Sequence, residues 1–117
     1  MDTATTPTAR ITAEVASWPG VEAGHGKRGE YAFKVGRHEI GHLHGDRAAH
    51  FFFPRDVWRG LLDEGRIGPH PVFPDRQGPA ARSISNDRDV TDVIALMRLN
   101  YDRVTARAGG VAERPAA

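Results

Sequence analysis

The chain has no cysteine among its 117 residues, which removes disulfides, thiolate nucleophiles and cysteine-based zinc sites together. Histidine and carboxylate are left as the strong ligands for a transition metal. Charge of one sign is also lacking: 16 Lys and Arg face 15 Asp and Glu, a formal net charge of +1. No global field therefore recruits nucleic acid or an anionic membrane, and neither is expected as a partner. No stretch approaches the ~20 apolar residues that span a bilayer. Met1-Asp2-Thr3-Ala4-Thr5-Thr6-Pro7 lacks the basic and apolar regions of a secretory leader, so a cytoplasmic protein is expected. There is no internal repeat, phosphate-cradling glycine loop, nucleophile elbow or HExxH helix, which sets aside kinase, serine hydrolase and zincin chemistry.

What is present suits a folded domain. Hydrophobic residues make up 39% and charged ones 26%, far from the composition of a disordered chain. A chain of this length forms one core and buries roughly two-thirds of its unfolded surface. Polar, small-residue ends predict flexible tails over 1–8 and 109–117, around a single α+β domain over 9–108. Ile11, Val15 and Trp18 recur at helical spacing between Pro7 and Pro19-Gly20, a short opening helix. Val21 to Gly26 reads as a brief strand, and Tyr31-Ala32-Phe33-Lys34-Val35 alternates as a half-buried one. Strands over Arg37 to Gly45 and Ala48 to Phe53 follow. Val57, Trp58, Leu61 and Leu62 then mark a middle helix that Gly65 caps. Gly68-Pro69-His70-Pro71 breaks structure, Val72-Phe73 is a short extended piece, and Ala81 to Ile84 is a further strand. Asn86 caps a long closing helix whose stripe of Val90, Val93, Ile94, Met97, Tyr101 and Val104 runs to Gly109-Gly110. The expected architecture is an antiparallel meander sheet of four to five strands, with an N-terminal, a middle and a long C-terminal helix packed on it.

Chemistry concentrates in Arg37-His38-Glu39-Ile40-Gly41-His42-Leu43-His44-Gly45-Asp46. Strict strand alternation places His38, Ile40, His42, His44 and Asp46 on one face, with Glu39, Gly41, Leu43 and Gly45 on the other. Imidazoles two residues apart have two uses: to share a metal, or to give and take a proton near neutral pH. Asp46 is a candidate to orient one ring or to ligate. Gly41 and Gly45 leave room on the opposite face for a crossing helix, a ligand or another backbone. The bland alternative is a half-exposed sheet face whose N–H groups bond to backbone or water.

His70, held between Pro69 and Pro71, is a candidate acid or base on a stiff loop; the alternative is an exposed loop residue. In Phe51-Phe52-Phe53, alternation puts Phe51 and Phe53 in the core and Phe52 on the other face. Tyr101, Trp18 and Trp58 read as packing. Arg82 and Arg98 either pair with an anionic group or solvate a surface.

Glu39-Ile40-Gly41-His42-Leu43-His44-Gly45-Asp46, Phe53-Pro54-Arg55, Leu62-Asp63-Glu64-Gly65-Arg66, His70, Pro74-Asp75 and Val93 to Tyr101 together resemble the bacterial luciferase-domain proteins, a family related to fungal luciferases. The likeness spans about residues 14 to 104, and Gly-His-Leu-His-Gly is its most specific motif. The order of elements is also similar to that of the YjbR-like α+β proteins. The resemblance implies oxidation of an enolisable, phenolic small molecule by oxygen without an organic cofactor, so no cofactor is expected. It carries onto His42, His44 and Asp46, and more loosely onto His70, as catalytic residues. Gln77-Gly78-Pro79-Ala80-Ala81 departs from the Gly-Trp and alternating strand of that family, which leaves the pocket wall its own. Two other readings stand beside it. One is a divalent-metal site using His42, His44 and a carboxylate or His38; the other is a non-catalytic interaction or homodimerisation module.

Overall fold

The computed structural model describes residues 5–113, the side chains of 107–113 excepted. Three helices and six strands follow one another as α1 (Pro7–Val15), β1 (Val21–His25), β2 (Tyr31–Val35), β3 (His38–His44), β4 (Ala48–Phe52), α2 (Arg55–Asp63), β5 (Gly68–Pro69), β6 (Pro79–Ser83) and α3 (Asp87–Glu113). All strand pairs are antiparallel, in the order β1-β2-β3-β4-β6-β5. The class is the expected α+β, with six strands rather than four to five. The additional strand is β5, where Gly68-Pro69 pairs with Ala81 and Ala80 although the sequence reads as a break. Proline is admissible there because β5 lies at the edge of the sheet, where its missing N–H costs no ladder bond. Val72-Phe73, expected to be extended, lies instead in bends and turns.

Residues 1–4 and 114–117 of the two expected tails lie outside the described residues. Within them, α1 begins at Pro7, with the Thr6 side chain accepting from the Ala9 N–H at 3.0 Å. α3 runs through Gly109-Gly110 to Glu113. Glycine lowers helix stability by about 1 kcal/mol, and a pair of glycines weakens a helix without having to end it. At its other end the Asn86 side chain accepts from the Asp89 N–H at 2.8 Å, and Asp89 accepts in return from the Ser85 N–H at 2.8 Å. Asn86 thus caps a free N–H of the first turn, and Asp89 ties down the residue that precedes the cap. Among the described residues no helix is long and apolar enough to cross a membrane.

One face of the sheet carries Phe33, Ile40, Leu43, Ala49 and Phe51, buried together with Val90, Val93, Leu96 and Met97 of α3 and Ile11 and Val15 of α1. α2 is fixed to β6 where the Trp58 indole N–H donates to the Pro79 carbonyl at 3.0 Å. Arg82 on β6 pairs with Asp89 at 2.7 Å and with Asp92, and Arg66 reaches Asp92 at 2.6 Å. These partly buried pairs tie the strands at that edge to the first turns of α3, and the Arg82 guanidinium holds the Asp89 carboxyl below its ordinary range.

The helix sits closest to the sheet at Gly41. A Cβ there would stand 2.6 Å from the Met97 sulfur and 3.0 Å from the Phe51 ring, so the end of the Met97 side chain occupies the space that a side chain at position 41 would take. Gly41 therefore has the role expected of it, while Gly45 serves as a left-handed turn residue with open space around it. Replacing Gly41 by Ala overpacks the seam and is expected to lower unfolding free energy by about 1–3 kcal/mol. Urea denaturation measures this, and in a double-mutant cycle Gly41→Ala should cost less in a Met97→Ala background than in the wild type.

Candidate functional site

The face of the sheet turned away from α3 carries the histidines. His42 on β3 lies directly across from His50 on β4. The same transverse row continues through Ala32 and Gly24 on one side, and through Ala81 and Gly68 on the other. Two imidazoles are thus flanked along the row by residues with almost no side chain. His44, two residues on from His42, and His70, on the loop after β5, complete the group. Ring centroids lie 4.9 Å apart for His42–His44, 4.4 Å for His44–His50 and 4.3 Å for His50–His70. Ligand nitrogens of His42, His44 and His50 all fall within 4.8 Å of one another. Four of the six histidines thus form one cluster.

A register fault in β3 decides which residues join it. Phe33 pairs with Gly41 but Lys34 pairs with Glu39, so Ile40 is an extra residue, a β-bulge. Ile40, Gly41 and Leu43 are all buried. Past the bulge the alternation resumes in the opposite phase, which brings Glu39 to the face of His42. Strict alternation had assigned Glu39 to the other face, and the bulge corrects it. The Nδ1–H of His42 donates to Oε2 of Glu39 at 2.6 Å. The orienting carboxylate is therefore Glu39.

Asp46 is elsewhere. Regular strand structure ends at His44, and Asp46 lies in the turn that follows, where its carboxylate accepts from the Thr8 N–H at 2.9 Å and anchors the start of α1. The Thr8 hydroxyl and N–H hold the Asp46 carboxyl below its ordinary range. His38 is exposed at the start of β3, out of phase with His42 and His44, and takes no part in the ring contacts of the cluster. His50, which the sequence reading passed over, is the buried member, 9% exposed. The alternation that put Phe51 and Phe53 in the core already placed His50 on the opposite face. Its visible signal was overshadowed by the three phenylalanines beside it.

The hydrogen-bond network assigns tautomers. With Nδ1–H given to Glu39, Nε2 of His42 keeps its lone pair and accepts from Nε2–H of His44 at 3.1 Å. Nδ1 of His70 accepts from the Val72 N–H at 3.0 Å, which leaves Nε2 to carry the proton of the neutral ring. Nδ1 of His50 is buried with no hydrogen-bond partner. Burial first, and then the neighbouring His44, His70 and His42, push the His50 imidazole down to about 4. Burial, and then His42 and His44, also lower His70. His50 is thereby held in the neutral form, which offers a lone pair to a Lewis acid.

Other candidates resolve as structure. The Tyr101 hydroxyl donates to the Pro19 carbonyl at 2.7 Å, and its ring packs on Trp18. Arg98 lies over the Trp18 and Tyr101 rings and pairs with Asp102. Phe52 is 60% exposed on the histidine side of β4, and Phe73 lies 5.4 Å from the His70 ring.

A small α+β domain with an imidazole cluster on the open face of its sheet is the class these features define. The model of the family described as "Luciferase domain" matches residues 37–100, more than half of the chain. The protein belongs to the luciferase-domain family. The match contains β3 to β6 and α3 as far as Asn100, with Glu39 and all four clustered histidines. A search of curated proteins and one of solved structures each returned no match.

The low basicity of His50 ties stability to pH. Unfolding restores an ordinary imidazole near 6.5, so the unfolded chain takes up a proton that the folded one refuses until about 4. The stability contributed by this ring is therefore fully present above pH 6.5 and is lost as pH falls toward 4, with a slope of up to about 1.4 kcal/mol per pH unit for this proton. Chemical denaturation at pH 7, 6 and 5 reads the slope, and His50→Gln should flatten it.

Proposed function

We propose that the protein is a small-molecule enzyme whose centre is a divalent-metal site formed by His42, His44 and His50. The observation that carries the reading is the convergence of three ligand nitrogens within 4.8 Å on the open sheet face. Three imidazoles suit zinc, copper, nickel or iron, and a three-protein-ligand set would leave a coordination position for a substrate oxygen. The unpartnered Nδ1 of buried His50 and the Glu39 carboxylate behind His42 both fit such a centre. A carboxylate that accepts the second N–H of a ligating histidine fixes its tautomer and raises its basicity. A metal bound there would polarise a phenol or enol oxygen and make its deprotonation easier.

The chain's own groups supply the rest. His70, with Nε2 protonated, offers a hydrogen-bond donor next to the three-histidine face, suited to an oxyanion. Phe52 and Phe73 present apolar surface beside it for a flat substrate. The expected reaction is oxidation of a phenolic or enolisable molecule by dioxygen, in a cytoplasmic setting and without an organic cofactor. This is the activity that the family membership suggests.

A second reading rests on the 2.6 Å Glu39–His42 contact. Without a metal, the Nε2 lone pair of His42 is a general base oriented by a carboxylate, and the same substrates would be deprotonated directly.

Titration of the metal-free protein with Co(II) and Zn(II) separates the two. One equivalent is expected to bind, with d–d bands of a nitrogen-ligated Co(II) site. His44→Ala and His50→Ala should weaken binding at least 100-fold, while His38→Ala and Asp46→Ala leave it unchanged. Absence of binding by the folded protein would remove the metal centre and leave the Glu39–His42 base.

A further inference from the structure

We propose that Asn100, on the opposite side of the sheet, is a positioning residue of the histidine centre. Its amide holds the β3 bulge in the register that places Glu39 beside His42. The idea deepens the metal reading for its affinity test, but the geometry it concerns exists without a metal.

Asn100 is 1% exposed, inside an otherwise apolar helix–sheet seam. Its Nδ2 donates to the Ile40 carbonyl at 3.2 Å and to the Phe52 carbonyl at 3.1 Å. Ile40 is the extra residue of the bulge, and Phe52 ends the neighbouring strand. A bulge leaves its extra residue outside the ladder, so its backbone groups need another partner. One amide with two donors meets that need and bridges the carbonyls of two strands. The Oδ1 of Asn100 accepts from Arg103 at 2.9 Å, which fixes the amide with Nδ2 toward the strands.

The alternative register of β3 is regular pairing, with the extra residue expelled. In that register Glu39 returns to the face opposite His42, and the carboxylate contact is lost, because a one-residue slip exchanges the faces of a strand. Gly41 with Met97 seated on it opposes the slip by packing. Asn100 opposes it by hydrogen bonding, since removing the amide leaves one buried and one partly buried carbonyl without their donor. An apolar residue of the same size would fill the space equally well, so packing alone does not require asparagine at position 100. Its chemistry answers the bulge.

The test uses Asn100→Leu, Glu39→Gln and the double variant in the full chain. Imidazole ¹⁵N chemical shifts of the metal-free protein should show His42 in the Nδ1–H form in the wild type. In Asn100→Leu they should show a mixture of tautomers, while the far-ultraviolet circular dichroism stays that of the wild type. Zn(II) affinity should fall about 10–100-fold in Asn100→Leu, the range for loss of a group behind a metal ligand, and by a similar factor in Glu39→Gln. The double variant should bind no more weakly than Glu39→Gln alone, because Asn100 acts through Glu39. Val93→Ala, a destabilised core variant of the same helix, should retain wild-type affinity. An unchanged His42 tautomer in Asn100→Leu, or affinity losses that multiply in the double variant, would overturn the proposal. If the wild type binds no Zn(II), the metal reading fails by itself and the tautomer measurement still decides the role of Asn100. Asn100→Ser, which admits water between the two carbonyls, replaces Asn100→Leu in every measurement if the leucine variant does not fold.

Discussion

The extra residue at Ile40 is the constraint on which the site depends. Without it β3 would be a regular strand, with Glu39 turned toward the helices and His42 lacking a carboxylate. With it, three consecutive demands are met in one stretch of chain: Ile40 fills the core, Gly41 admits α3, and Glu39 faces the imidazoles. The core face and the open face are therefore specified together. A change that repairs the strand geometry would damage the chemistry on the reverse side.

Electrostatics sets the second condition. Burial first, and then the neighbouring imidazoles, hold His50 and His70 below their ordinary basicity. Burial of His50 settles which ring stays neutral at ordinary pH. Glu39 supplies the only carboxylate bonded to the cluster among the described residues, and it is spent on the outer nitrogen of His42. The inner nitrogens of His42 and His44 then share a single proton in the hydrogen bond between them. The same crowding brings three ligand nitrogens within 4.8 Å of one another, close enough that they could hold one metal ion.

Much of this was legible in the sequence. The stripe from Val90 to Val104 gave α3, and alternation in Tyr31–Val35 gave β2. The pattern Gly-His-Leu-His-Gly pointed to His42 and His44, and the two prolines beside His70 marked a stiff loop. What escaped had identifiable causes. A bulge adds one residue without a compositional signature, so Glu39 and Asp46 exchanged roles. His50 needs a cross-strand register to meet His42, and register is not a local property. β5 is two residues long and contains proline, too little for any periodicity. Asn100 sits within an apolar stripe as an isolated polar position, and only its partners 48 and 60 residues away explain it.

The transverse row through Gly24, Ala32, His42, His50, Ala81 and Gly68 has a bearing on how the site could diversify. The surface is low to left and right of the rings, across the strands, where only glycine and alanine stand. The shallow direction of this face accordingly runs at right angles to the chain direction. Positions 32 and 81, directly across from His42 and His50, are where a change of side-chain size would narrow or widen that shallow strip.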